Sequence, residues 1–430
     1  MSFIQSDNGV QMEYKPKHMK KSVQEHLLGN QAFILFLLTI PYIEPQLFKY
    51  PSLGSCDKAF MAAKLISAVV VGVLYIVQFK RLSKLIIAMG ALQLWVGIST
   101  IINGGSITRF AGPALTSLVA IALIECALRS DFKTYLYYIR NILIVYYIIN
   151  ILTLIGMQVG VYPFSWAFLG MDNRWIYFYL PWIVVSFLYA AIKKDVNRRV
   201  PWIIYCACSI SLLATWSIGA LLSILLWIPM WIIGSALVDN KRMSLARVVK
   251  TAPLWIYGID IALNWALLSG WLLRLLSPLI NLFGKDVTLA GRTFLWSAVV
   301  NALAKNPLFG AGVQPELIDK EFFFNNSPNL PWTKVNHPHN MFMNFSYHGG
   351  LPAGIGFAAI CGWIMYRLYT AVRSRATLVL LCGVSVFLFA SLVDTLDFGP
   401  LFQVLALAFY AQDINALAVS DEMNIQKENG

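Results

Sequence analysis

Residues 200–238 read VPWIIYCACSISLLATWSIGALLSILLWIPMWIIGSALV, with no charged side chain among them. A helix needs about 20 mostly apolar residues to cross the hydrocarbon core of a bilayer. This stretch is long enough for two crossings, and the small and turn-prone residues at Ser217-Ile218-Gly219 mark where it must bend. Ten further apolar stretches lie to either side, at about 28–45, 59–79, 85–102, 110–128, 139–159, 175–192, 252–272, 349–368, 377–393 and 401–419, which with 200–217 and 218–238 makes twelve. The sequence therefore predicts an all-α, polytopic membrane protein of about twelve transmembrane helices.

Composition requires the same solvent. Of 430 residues 58% are hydrophobic and 13% charged, with a mean hydropathy of +0.65, whereas soluble domains run about 45–50% apolar and about 25% charged. So few charges cannot cover so much apolar surface in water. A soluble enzyme, a disordered scaffold and a nucleic-acid-binding domain are excluded, despite the formal net charge of +12. That charge instead reports orientation. Lys15, Lys17, Lys20 and Lys21 precede the first apolar stretch, and Lys80-Arg81, Lys193-Lys194, Arg198-Arg199, Lys241-Arg242 and Arg373/Arg375 fall in alternate gaps. By the positive-inside rule these gaps and both termini are cytoplasmic. No cleavable signal peptide is expected, because residues 1–26 are polar and the first apolar run is as long as a span. Five of the six cysteines lie in apolar stretches, where a thiol acts as a small hydrophobe. Only Cys56 is expected to face outward, so no outer disulfide can form within the chain.

The division that follows is a cytoplasmic tail at 1–26, spans one to nine over 27–272, a large extracytoplasmic segment at 273–348, spans ten to twelve over 349–419, and a cytoplasmic tail at 420–430. Connections beyond about 12–15 residues are usually functional or disordered. Residues 273–348 carry Trp296, Trp332, Phe294, Phe309 and Phe322-Phe323-Phe324, a composition that packs. Leu289, Arg292, Trp296, Val299 and Leu303 recur at helical spacing, predicting an amphipathic helix over 289–305, capped by Asp286 or Thr288 and ended by Pro307. Arg292 then sits in the first turn. Its charge opposes the helix dipole there, but the free N–H groups of that turn attract anions. Arg292 is thus a candidate anion ligand, or else a surface side chain stacked on Trp296.

Farther on, Asn336-His337-Pro338-His339-Asn340 holds two of the five histidines. No acid or thiol lies close by in sequence, and two histidines that straddle a proline need not converge, so a metal site is not expected. Asn340 can cap a helix that begins at Met341. A helix N-terminus disfavours imidazolium, and a neutral imidazole is what a general base requires. His339 is a candidate base, or a capping or interfacial histidine.

Gly291-Arg292 with Trp296, Pro307 with Gly310 and Gly312, His339-Asn340, and Gly350 with Gly354 together resemble the O-antigen polymerase and O-antigen ligase family, the Wzy_C type. The pieces come in the family's order and spacing. The resemblance implies a glycosyltransferase of the GT-C superclass with no metal or other cofactor. It would act on undecaprenyl-diphosphate-linked oligosaccharide, with membrane lipids and a chain-length regulator as further partners, in a bacterial cell (inner) membrane. It also implies that Arg292 binds the diphosphate and His339 deprotonates the acceptor, with His337, Asn340 and Trp296 lining the substrate. Arg174, in Gly170-Met171-Asp172-Asn173-Arg174, matches a second family arginine, although here it follows the Asn; it can equally be a flanking anchor. Pro41–Gln46 and Phe168–Asn173 look more like repeat-unit polymerases of exopolysaccharide or capsule than like ligases. The alternatives are an O-antigen ligase, and a flippase for the same lipid-linked sugars. A flippase built on inverted repeats would show paired mid-membrane breaks, and no internal repeat is evident.

Six further charges need a reading. Lys64 lies within a span, shallow enough to snorkel to the interface or to bind substrate. Asp260 lies mid-span and is neutral, paired with another helix, or in contact with sugar. Glu125 and Asp413, near cytoplasmic span ends, are expected to be solvated. Asp394 and Asp397 follow the eleventh span and suit either a solvated loop or sugar binding.

Overall fold

The computed structural model describes residues 21–193, 197–239, 243–275, 277–282, 291–326, 335–371, 374–396 and 398–418. Among these, 82% are helical and none forms a strand. The helices are α1 (Lys21–Thr39), α2 (Gly54–Phe79), α3 (Lys84–Ile102), α4 (Ile107–Leu128), α5 (Phe132–Gln158), α6 (Ile176–Ile192), α7 (Arg199–Ala214), α8 (Ile218–Leu225), α9 (Trp227–Asp239) and α10 (Met243–Leu268). Short α11 (Trp271–Leu275) and α12 (Ser277–Leu282) follow, then α13 (Arg292–Lys305), α14 (Glu316–Asn326), α15 (Met341–Thr370), α16 (Arg375–Ser391) and α17 (Gly399–Phe409). A 70° bend leads from α17 into α18 (Ala411–Ala418).

All twelve apolar stretches are helical, but fewer qualify as membrane spans. Seven helices among the described residues are long and apolar enough to cross, or eight if α17 and α18 form one bent span. The apolar helices Asn30–Ile43, Arg199–Ala214 and Arg375–Ser391 fall short. At about 1.5 Å rise per residue, a helix of 14–17 residues covers about 21–26 Å of a core about 30 Å thick. The break at Ser217 is where the sequence puts it: α7 ends at Ala214, Trp216 takes a left-handed φ of 56°, and α8 starts at Ile218.

Burial separates centre from rim. α6, α16 and α17 are apolar and buried on nearly every side, the pattern of helices enclosed by other helices. α2 and α5 are buried on one stripe only, and α2 turns Val69, Val73, Ile76 and Val77 outward. Such continuous exposed apolar surface fits contact with lipid. One expectation fails inside the bundle. Glu125 is not solvated: it is buried and accepts hydrogen bonds from Tyr75, Ser83 and Tyr410, each at 2.6 Å. Asp413 is exposed, as expected.

A tight backbone crossing orients the helices that carry the candidate site. Residues 307–312 lie against a kink in α15 at Gly349-Gly350. Leu351 N–H donates to the Pro307 carbonyl at 2.8 Å, Ala311 N–H to Tyr347 O at 2.7 Å, and Gly312 N–H to His348 O at 3.1 Å. Gly350 has φ 70° and ψ −174°, a region open essentially to glycine alone. A Cβ there would stand 2.3 Å from the Leu308 carbonyl oxygen, and one at Gly310 would stand 2.4 Å from that of Tyr347. The glycines of this segment therefore permit two backbones to touch.

Candidate functional site

α13 supplies the arginine. Gly291, with φ 84°, turns the chain into the helix, and Arg292 is its first residue. The helix starts three residues later than expected, with Gly291 and not Asp286 or Thr288 at its N-cap and no side-chain cap; residues 283–290 lie outside the described residues. The helix ends at Lys305, ahead of Pro307, as expected. Its apolar face, Leu295, Trp296, Val299 and Leu303, packs with Phe323, Met343, Tyr347 and Leu392 in a core separate from that of the main bundle.

Trp296 is only 2% exposed, which corrects its reading as a substrate-lining residue. Its indole Nε1 donates to the Pro338 carbonyl at 2.9 Å, so it holds the peptide between the two histidines. Asn340 likewise acts inside the protein. It caps α15 by accepting from Met343 N–H at 2.9 Å, and its amide donates to Asn264 Oδ1 and the Leu392 carbonyl, each at 3.0 Å. The capping reading holds, while a direct substrate contact by this buried side chain does not. Together Trp296 and Asn340 fix α13, α10 and the end of α16 around His339, whose φ of 50° is unusual for a non-glycine residue. Such a conformation persists where its surroundings enforce it, often at functional sites.

His339 faces a carboxylate that local sequence does not reveal. Its Nδ1 lies 3.1 Å from Asp394 Oδ1, which also accepts from Thr395 N–H at 2.8 Å. Burial alone would raise the Asp394 pKa, but the His339 hydrogen bond and the charges of His339, His337 and Arg292 outweigh it and hold it at about 2. An ionised carboxylate only accepts, so His339 Nδ1 carries the proton and Nε2 is the basic nitrogen. The tautomer is assigned from the hydrogen bond. Asp394 is thus neither solvated nor a plain sugar ligand; Asp397 lies outside the described residues. His337 packs close by, ring centroids 4.1 Å apart and planes tilted by 41°, with Nδ1 2.7 Å from Asn336 Oδ1. Burial lowers its pKa well below the usual range; His339 and the arginines Arg174 and Arg109 add to this, and Asp394 opposes it. His337, His339 and Asp394 place potential ligand atoms within 4.8 Å of one another, so the two histidines do converge and an acid joins them.

Three cations surround this pair. Arg292 is half-buried; burial lowers its pKa, and the charges of Asp394 and Tyr177 act the other way. Arg174 precedes α6 and donates to Gln46 Oε1 at 3.3 Å, tying it to the segment after α1. Arg109, in the first turn of α4, pairs with buried Asp319 and the Gln314 carbonyl; Asp319 in turn accepts from Tyr347 at 3.0 Å. Lys64 does not snorkel. It pairs at 2.5 Å with Glu44, a side chain 1% exposed and two residues from Gln46. Asp260 is buried on α10, one turn before Asn264. Sequence reasoning missed Asp394 as the partner of His339, and Arg109, Asp319 and Tyr347 entirely. The signal available for Asp394 was an acid directly after an apolar run.

Compared with known proteins, the chain matches no protein-family model and no curated sequence.

Proposed function

We propose that this protein is a polysaccharide repeat-unit polymerase that joins undecaprenyl-diphosphate-linked oligosaccharides on the outer face of a bacterial cell membrane. The observation that carries the reading is His339 bonded through Nδ1 to Asp394, beside Arg292, at one end of an apolar helix bundle. The acceptor sugar hydroxyl gives its proton to His339 Nε2 while its oxygen attacks the anomeric carbon of the donor from the face opposite the diphosphate. The bond between that carbon and the diphosphate oxygen breaks, and the leaving diphosphate takes the electron pair, inverting the configuration. Asp394 stabilises the imidazolium as it forms, as the acid of a catalytic triad does. Arg292 presents a planar fork that matches phosphate oxygens, at the N-terminus of α13, where the helix dipole also favours an anion. Arg174 adds a second positive charge. These groups meet the leaving group's charge without a metal. In this reading residues 273–348 form the extracytoplasmic segment and both termini are cytoplasmic. A ligase would run the same chemistry on a different acceptor. Polymerase is preferred because the segments around Glu44 and Gly170 resemble polymerases.

The test is glycan length on gels in cells deleted for the native gene, with equal membrane expression of each variant. His339→Ala should give single repeat units or none, because general-base catalysis contributes about 10²–10⁴-fold. His337→Ala should be milder. Full-length polymer from His339→Ala would show that the wrong base has been assigned.

A further inference from the structure

We propose that His337, His339 and Asp394 form an inhibitory binding site for a borderline divalent transition metal, Zn²⁺ above all, which takes His339 Nδ1 and Asp394 as ligands and so breaks the pair that supports the base. The three side chains come from two separate segments, and their ligand atoms already lie within 4.8 Å of one another. Around one Zn²⁺ at bond lengths of about 2.0–2.2 Å, tetrahedral ligand atoms sit about 3.4 Å apart. Rotation of two rings that are now 4.1 Å apart closes that difference. The distance from His339 Nδ1 to Asp394 Oδ1, 3.1 Å, suits two ligands on one ion.

The surroundings decide which metals fit. Two imidazoles and one carboxylate suit Zn²⁺, Cu²⁺ or Co²⁺, whereas Mg²⁺ and Ca²⁺ seek shells of oxygen. Ligation needs neutral imidazole. Arg292, Arg174 and Arg109 nearby repel a cation. The site therefore captures a strongly nitrogen-seeking ion reversibly, and it does not hold a hard ion in residence. Three protein ligands leave a fourth position for water. The inhibitory consequence rests on the transferase reading above; the binding does not.

Purified full-length protein in detergent, stripped of metal, is titrated with Co²⁺, whose visible bands report a tetrahedral nitrogen–oxygen site. One Co²⁺ per chain should bind and be displaced by Zn²⁺ but not by Mg²⁺. His337→Gln and Asp394→Asn should each weaken binding by about 10–100-fold or more, the range seen when even a supporting residue is lost. His348→Gln, which alters a ring bonded to the Gly312 carbonyl, should leave the spectrum unchanged. Absence of a Co²⁺ band in the wild-type protein, or a band that survives His337→Gln and Asp394→Asn together, overturns the site. In the transfer assay Zn²⁺ should inhibit and EDTA should restore activity. A Co²⁺ site whose occupation leaves transfer unchanged, or raises it, overturns the inhibitory role. A protein that binds Co²⁺ as described yet transfers no glycan refutes the transferase reading and leaves the metal site standing.

Discussion

Replacing Asp394 by Asn tests how much the acid contributes through His339. In the folded protein Oδ1 lies 3.1 Å from His339 Nδ1, which puts the centres of an imidazolium and a carboxylate about 4 Å apart. At an effective dielectric of about 20 that pair is worth about 4 kcal/mol. If proton transfer is half complete in the transition state, about 2 kcal/mol of that is at stake. Loss of the charge should then lower single-turnover transfer by about 30-fold, and by about 10³-fold if transfer is complete. The assay is single-turnover elongation of lipid-diphosphate-linked repeat units by purified protein. Donor binding should change little, because Asp394 acts on the base. With its pKa held at about 2, Asp394 stays ionised throughout the assay range. The stability sign follows from a depressed folded pKa: the contribution is present above the ordinary value of 3.8 and is lost as pH falls toward 2. An Asp394→Asn enzyme within threefold of wild type in single-turnover transfer would refute the pairing as a catalytic device.

Three other outcomes follow from the same geometry. Arg292→Ala should lower turnover by about 10²–10³-fold, as loss of one oriented charge-stabilising donor does, and Arg292→Lys should remain impaired because a point charge lacks the planar fork; both are read from initial rates at saturating donor. Gly350→Ala should reduce the yield of folded protein and its Tm in detergent, since its backbone conformation alone costs about 1–3 kcal/mol and its Cβ meets the Leu308 carbonyl oxygen at 2.3 Å. A cysteine placed at Asn326, the end of α14, should react with an impermeant maleimide in spheroplasts while one at Arg198 should not; the reverse pattern would overturn the orientation.

Much of the fold was readable because it depends on signals local in sequence. Runs of apolar residues marked every membrane-length stretch as helical, Ser217 marked a break, Pro307 a helix end and Asn340 a cap. The number of crossings was not readable, since hydropathy does not report where capping cuts a helix short, as at Ala214 and Ser391. Pairings between helices were also hidden. His339 and Asp394 are 55 positions apart, and whether two such side chains meet depends on the rotation of α16 against α15. Glu125 and Lys64 were misread for the same reason: each looked near enough to water to be solvated, yet each faces partners on a neighbouring segment. Trp296 shows the converse error, an aromatic beside an arginine that belongs to the core.

The central claim is glycosyl transfer from a lipid diphosphate by Arg292, His339 and Asp394 without a metal. The direct measurement is incubation of purified protein in detergent and EDTA with undecaprenyl-diphosphate-linked repeat units, followed by mass spectrometry of the products. The account predicts lipid-linked oligomers longer than the input, a new linkage of inverted configuration and release of undecaprenyl diphosphate, all lost in His339→Ala. Unchanged input with active protein in membranes, or elongation that requires added Mg²⁺ or Mn²⁺, would contradict it.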